Sequence, residues 1–431
     1  MNIIYTPERS AWSDLLKRPT KDATDLNNLV AGVLADVRTH GDEAVLRYET
    51  QFDHVELSSL RVDDAEFAEA ETLVPTELKE ALQLAHDNIY KFHAAQRFQG
   101  EPCEVVPGVT CWQKSVAIEK VGLYIPGGTA PLFSTVLMLA VPAKIAGCKE
   151  IVLCTPPQRD GKVHPAVLVA ARLSGVTNVF KAGGVQAIGA MAYGTESVPK
   201  VYKIFGPGNQ FVMCAKQQVS LHDAAIDMPA GPSEVMVLAD ASANASFVAA
   251  DLLSQAEHGV DSQALLLTTS ADLACRVAEE LERQLEQLPR NEIAREALKH
   301  SKLIVLRDEA EMMDMANAYA PEHLIIETTD YMDLAARVVN AGSVFLGNLT
   351  PESAGDYASG TNHTLPTNGY ATAYNGVNLD SYMRKVTFQH ITSEGVKKIG
   401  PAVELMAAGE NLDAHRMAMK LRREAVEAGK V

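Results

Sequence analysis

The run Leu253-Ser254-Gln255-Ala256-Glu257-His258-Gly259 closes an apolar helical pattern at a glycine. Gln255 and His258 are three apart and so share a helix face. They offer an amide oxygen and an imidazole nitrogen at a helix C-terminus, where the macrodipole favours a cation. Alone, such residues are more often solvated or capping groups than ligands. A second pair, Glu322-His323, stands between Pro321 and an apolar strand. A carboxylate beside an imidazole can act as a general base. Neighbours on an ideal strand face opposite ways, so both enter one pocket only if the turn before the strand redirects Glu322. A surface salt bridge is the plain alternative. Asp356 and His363 fall in Gly355–Thr367, a polar stretch without helical or strand period that reads as a long functional loop. Glu410 and His415 flank the start of the last helix, where solvated helix-end residues are the simplest reading. No spacing rule joins Gln255, His258, Asp356 and His415 into one metal site.

The elements that must position these residues alternate. From Ile118 onward, short apolar strands (Val121–Ile125, Glu150–Thr155, Asn178–Lys181, Val201–Phe205) alternate with helices over 134–146, 164–173, 185–193 and 209–219. After Pro229-Ala230-Gly231-Pro232 a second series begins. Its strands are expected at 235–238, 264–268, 303–306, 323–326 and 343–346, and its helices at 245–258, 272–287, 291–300, 309–319 and 331–341. Such alternation implies parallel sheets covered on both faces, and two series imply two α/β domains. Before Ile118 the chain reads as helical. The end, 394–408 and 411–428, reads as an amphipathic helical hairpin too small to bury its own apolar faces, and the first 22 residues share that problem.

Three glycine-rich loops each follow a strand and open a helix: Pro126-Gly127-Gly128-Thr129, Ala182-Gly183-Gly184-Val185-Gln186 and Gly206-Pro207-Gly208-Asn209. Ligands of parallel sheets sit at such places, and glycines let a backbone approach a phosphate. This favours a nucleotide. None of the loops is G-x-G-x-x-G, since Phe211 occupies the third glycine's place, and ordinary tight turns stay open as a reading.

The chain has 431 residues, 47% hydrophobic and 22% charged, with a net charge of −17. It is long enough for more than one core, and its acidity with no basic run argues against a nucleic-acid binder. No signal peptide is visible, and the most apolar segment, 136–153, is interrupted by Pro142, Lys144 and Lys149. The six cysteines lack paired spacing. Cys111, Cys148, Cys154, Cys214 and Cys275 lie in apolar-patterned elements and read as reduced core thiols of a cytoplasmic protein.

The stretches VGLYIPGGTAPLFSTVLMLAVPAKIAGC, IFGPGNQFV, DMPAGPSE, DLLSQAEHG, APEHL, SGTNHTLPT and GENLDAH occur in this order. Through them the chain resembles the histidinol dehydrogenase family over essentially its whole length. The resemblance implies four-electron oxidation of L-histidinol to L-histidine via the aldehyde, the last step of histidine biosynthesis, with two NAD+ per turnover and one zinc ion per subunit. It puts the metal ligands on Gln255, His258, Asp356 and His415 and the catalytic pair on Glu322 and His323. Ser233, His363 and Glu410 become further substrate contacts, and Tyr124, Gln186 and Asn209 become NAD contacts. It implies an intertwined homodimer of two Rossmann-like parallel-sheet domains with small N- and C-terminal helical arms, His415 and Glu410 completing the other subunit's site. The expected division is an N-terminal arm at 1–22, a catalytic α/β domain from 23–120 and 233–378, an NAD-binding domain at 121–232, and a C-terminal arm at 379–431. An all-N/O ligand set suits a zinc that orients substrate rather than a closed structural site. The nearest rival is an aldehyde-dehydrogenase-type enzyme with Cys111 or Cys148 as nucleophile. A zinc hydrolase using Glu322 as base would leave the three glycine loops unexplained, and a non-catalytic NAD- or metal-binding protein would not turn histidinol over.

Overall fold

The near-continuous apolar runs become buried parallel strands. The computed structural model describes residues 1–19, 24–127 and 131–430, so Gly128 and Thr129 of the first glycine-rich loop lie outside the described residues. The chain divides into two units, Met1–Gln96 with Ile118–Tyr382, and Arg97–Ala117 with Met383–Val431.

The first unit contains two parallel sheets. One runs, in spatial order, Asn178–Lys181, Glu150–Thr155, Lys120–Tyr124, Lys203–Phe205, Ala225–Ile226. Ranked along the chain this order is 3-2-1-4-5, the doubly wound arrangement, whose direction reverses at Lys120–Tyr124. The other runs Asn2–Tyr5, Lys302–Val305, Gln263–Thr268, Glu234–Ala239, His323–Glu327, Ser343–Leu346. Without the N-terminal strand its order is again 3-2-1-4-5. Every residue of Glu234–Ala239 and Gln263–Thr268 is buried, as strands covered on both faces require. Helix Phe133–Ala146, opposite the first sheet's centre, shows no amphipathic stripe because it is buried nearly all round. Among the described residues no helix is long and apolar enough to cross a membrane.

Several expectations need correction. The first 22 residues are not a helical arm throughout, since Asn2–Tyr5 forms the edge strand beside Lys302–Val305. The region before Ile118 is not all helical either, because Cys103–Val106 and Val109–Ala117 pair antiparallel. In the second unit Val109–Ala117 also pairs antiparallel with Met383–Ile391, so the C-terminal segment starts with a strand before its two helices, Ser393–Gly409 and Asp413–Glu427. Of these strands, Asn2–Tyr5, Cys103–Val106 and Met383–Ile391 have half or more of their residues exposed and Val109–Ala117 is mostly half-buried, so none carries a continuous apolar run to announce it. The helix expected over 331–341 ends at Ala335. The Asn317 side-chain oxygen captures the N–H groups of Val339 (2.8 Å) and Asn340 (3.2 Å), which a longer helix would have used itself.

Candidate active site

The Glu322-His323 pair is shaped by how one helix stops. Helix Glu309–Tyr319 ends at Ala320 in the left-handed region (φ 53°), and Pro321 prevents its continuation. Glu322 therefore lies just outside the strand that begins at His323, and strand alternation does not separate the two side chains. Glu322 Oε2 is 3.7 Å from His323 Nδ1, and the residues are 6% and 4% exposed. The surface-salt-bridge alternative is thereby excluded. One residue of the neighbouring strand holds both. The Glu234 N–H donates to Glu322 Oε2 (2.9 Å), and the Glu234 carbonyl accepts from His323 Nδ1 (3.2 Å). A carbonyl can only accept, so the neutral ring keeps its proton on Nδ1 and presents the Nε2 lone pair. Nε2 is buried without a hydrogen-bond partner, 3.5 Å from Asp356 Oδ1. These groups gather at the amino ends of their strands, opposite to where the glycine loops stand on the other sheet.

Asp356 is not in a structureless loop. It lies in helix Glu352–Tyr357, which opens after Pro351 and is too short for its period to show in sequence. Glu352, one turn earlier on the same face, joins it. His258, Glu352 and Asp356 offer ligand atoms all within 4.8 Å of one another. His258 sits in the turn just beyond helix Ala245–Ala256 rather than on it, and its N–H donates back to the Gln255 carbonyl (3.2 Å). Gln255 is fully buried with its amide end against Glu352, and the amide orientation that satisfies both groups turns its nitrogen to the Glu352 carboxylate, at 2.5 and 3.2 Å. Burial pushes the Glu322 carboxyl up to about 8. Burial alone would depress His323, but Glu352, Glu322 and Asp356 prevail and hold its pKa well above the usual histidine value. Two buried carboxylates and a half-buried one around one imidazole concentrate negative charge that a divalent cation offsets, and an N/O set without thiolate suits zinc in an open site. The residues fit such an ion. Three of the four expected ligands converge in this unit. Glu352 was not anticipated, although its i, i+4 spacing from Asp356 behind Pro351 was a readable signal. His363 Nε2 stands 3.3 Å from the Thr135 hydroxyl, and half-buried Ser233 immediately precedes Glu234.

The glycine loops also gather at one place. Tyr124, at the end of the reversal strand, accepts the Gly184 N–H on its hydroxyl (3.1 Å), and Gln186 Nε2 donates to Glu49 Oε1 (2.9 Å). The Gly183 N–H reaches the same Glu49 oxygen (2.9 Å). Asn209 caps helix Gln210–Ser220, accepting from the N–H groups of Phe211 and Val212, and is exposed. Gly206 (φ 128°) lies so close beneath the Tyr124 carbonyl that a Cβ would stand 2.1 Å from it. This is a close-approach turn of the kind a dinucleotide needs. Gln186 Oε1 and Glu49 Oε2 are buried without partners, which leaves polar atoms for a ligand to satisfy.

Glu49 has a pH consequence. Burial drives its carboxyl from 4.5 up to about 8, against the opposing hydrogen bonds from Gly183 and Gln186. A raised folded-state pKa contributes stability that is complete below the unfolded value and lost as pH rises through the folded one. Melting temperature is therefore expected to fall between pH 4.5 and 8 in part through this group, and Glu49→Gln should flatten that slope. A parallel slope in the variant would show that Glu49 is ionised throughout.

The sequence model of the family described as histidinol dehydrogenase matches residues 16–423. The chain belongs to the histidinol dehydrogenase family. It is 66% identical over 426 residues to the histidinol dehydrogenase of Bacteroides fragilis, covering 99% of this chain and 100% of that one. It is 52% identical over 416 residues to that of Escherichia coli, covering 96% and 95%. The crystal structure of histidinol dehydrogenase from Elizabethkingia anophelis superposes with a TM-score of 0.97 at 51% identity, covering 99% of both chains. The chain is accordingly an oxidoreductase.

For a histidinol dehydrogenase family member, the remaining expected residues divide clearly. Glu410, which ends helix Ser393–Gly409, and His415, on helix Asp413–Glu427, belong to the second unit, and both are exposed. The cysteines are all free, but only Cys148, Cys154 and Cys214 are buried. Cys275 and Cys103 are exposed and Cys111 is half-buried, so the expectation of core thiols fails for Cys275 and Cys111. The covalent rival loses its better candidate, because burial pushes the Cys148 thiol up to about 12 and leaves no thiolate near neutrality.

Proposed function

We infer that this chain oxidises L-histidinol to L-histidine by way of L-histidinal, using two NAD+ and one zinc ion per subunit. The observation that carries this reading is the meeting of buried Glu322, His323 and Glu352 with half-buried Asp356 and the more exposed His258 in one cluster. Zinc held by Gln255, His258, Asp356 and His415 of a second subunit would supply an electrophilic anchor for an amine and an imidazole, and NAD+ beside Tyr124, Gln186 and Asn209 would accept hydride. His323 takes the substrate hydroxyl proton on Nε2, the nitrogen left free by the Glu234 carbonyl. Loss of hydride from the same carbon leaves the aldehyde. His323 then passes its proton to solvent, and Glu322 removes a proton from water as its oxygen adds to that aldehyde, which gives the hydrate as its monoanion. His323 takes the hydrate's hydroxyl proton, and loss of the second hydride leaves the carboxylate. Ser233, His363 and Glu410 fix the rest of the substrate, which brings the reacting carbon to these two side chains.

In this reading 121–232 is the NAD-binding domain, 23–120 with 233–378 the catalytic domain, and 1–22 and 379–431 the arms. Homodimerisation with exchanged C-terminal segments is supported by the apolar side chains exposed on the second unit, among them Leu405 (75%), Met406 (68%) and Leu421 (58%). Work in a reducing cytoplasm accords with six free cysteines. The test is stoichiometry: purified protein with limiting histidinol and excess NAD+ should yield two NADH per histidinol, and chelator should suppress both. A yield of one would mean release of the aldehyde, and none would refute the substrate.

A further inference from the structure

We propose that Arg18 and Glu234 are positioning residues for the catalytic pair, and that Arg18 fixes the tautomer of His323 through the peptide groups of Glu234. The proposal rests on the roles given above to Glu322 and His323.

Glu234 is the only described residue whose backbone binds both catalytic side chains, its N–H on Glu322 and its carbonyl on His323 Nδ1. Those two bonds are only as well aimed as the Glu234 peptide groups themselves. Glu234 is the first residue of its strand, a place where a chain is free to fray. Its side chain prevents this. Arg18 Nε donates to Oε1 (2.6 Å) and Nη2 to Oε2 (2.9 Å), a two-pronged pairing, and the Asn368 N–H adds a third bond to Oε1 (2.6 Å). The Glu234 side chain is 3% exposed and that of Arg18 17%, so the pair is little weakened by water.

The same guanidinium holds the other side of the pocket. Arg18 Nη2 also donates to the Tyr319 carbonyl (2.7 Å), and the guanidinium carbon lies over the Tyr319 ring, 3.9 Å from its centre. Tyr319 is the last residue of the helix whose stop at Ala320 delivers Glu322 and His323. Arg18 thus links the strand end that orients the pair to the helix end that presents it. Lysine could not do this, since it lacks the planar fork and the stacking face. In effect a peptide carbonyl occupies the orienting place behind the histidine, where a carboxylate more commonly stands. The Arg18–Glu234 pair stiffens that carbonyl. Misplacement of a reacting group by about 1 Å can cost about 10²-fold.

The test compares wild type, Arg18→Gln, Arg18→Lys and Glu234→Gln. For Arg18→Gln, kcat is expected to fall about 10- to 100-fold, with both half-reactions reduced alike. KM for histidinol and NAD+ and the zinc content should stay near wild type. Arg18→Lys should recover part of the loss. Nitrogen NMR of the imidazole rings, with His323 assigned by difference against His323→Asn, reads the tautomer without any turnover. In the zinc-loaded protein, at a pH where the ring is neutral, wild type should show His323 protonated on Nδ1 alone, and Arg18→Gln should show exchange between tautomers. A folded Arg18→Gln protein with an unchanged His323 tautomer overturns the proposal. If the wild type lacks histidinol activity while the tautomer shift appears, the functional reading fails and the positioning role stands. Should Arg18→Gln not fold, Glu234→Gln carries the same readouts. If neither folds, the pair serves stability alone and the proposal falls.

Discussion

Replacement of His323 by Asn should abolish both oxidations, lowering kcat by about 10²–10⁴-fold, the usual worth of a positioned general base. In the proposed mechanism His323 takes a hydroxyl proton in each half of the reaction, so histidinol and histidinal should fail together. Glu322→Gln should behave differently. If Glu322 serves only to activate water, as proposed, histidinal oxidation should fall by a similar factor while histidinol oxidation is largely spared. The two variants are separable because the Glu234 N–H and carbonyl fix the two side chains independently. Measuring NADH release from each substrate decides the matter. Equal loss of both half-reactions in Glu322→Gln would remove its assigned role.

Removal of His258 or Asp356 should strip the metal. Each supplies one ligand atom of a group lying within 4.8 Å, and loss of a first ligand should exceed the 10–100-fold in affinity that loss of an outer-shell partner costs. Zinc per chain after dialysis is the direct readout, with activity falling in proportion. Glu352→Gln is the informative companion. Glu352 either contributes an oxygen of its own or acts by accepting the Gln255 amide, and a partial loss of zinc fits the second role. Zinc content unchanged in both His258→Ala and Asp356→Ala would refute the ligand set.

How much of this was legible before folding depends on burial. Strands covered on both faces leave continuous apolar runs, so Glu150–Thr155 and Asn178–Lys181 begin and end where the pattern says. Asn2–Tyr5, Cys103–Val106 and Met383–Ile391 lie at edges or in a thin sheet, where half or more of the side chains meet solvent and no run forms. The site divides the same way. Glu322 and His323 are adjacent, and Gln255 and His258 lie within one turn, so local chemistry pointed to them. Asp356 was found, but its element was misjudged, because six residues of helix are fewer than two turns. Arg18 and Glu234, 216 positions apart, left no trace of their pairing.

By itself the sequence determined the alternation of apolar strands and helices, hence two parallel α/β sheets, together with the local pairs able to do acid–base and ligand chemistry. Motif order determined the family. Only the tertiary structure decided which of these groups meet. The 3-2-1-4-5 strand order lays Glu234–Ala239 beside His323–Glu327, and the stop at Ala320 turns Glu322 inward. The closing of helix Glu352–Tyr357 over them then brings Asp356 within 3.5 Å of His323. Contacts between distant residues arise from how whole faces pack and strands register, and residue spacing along one chain holds no record of that.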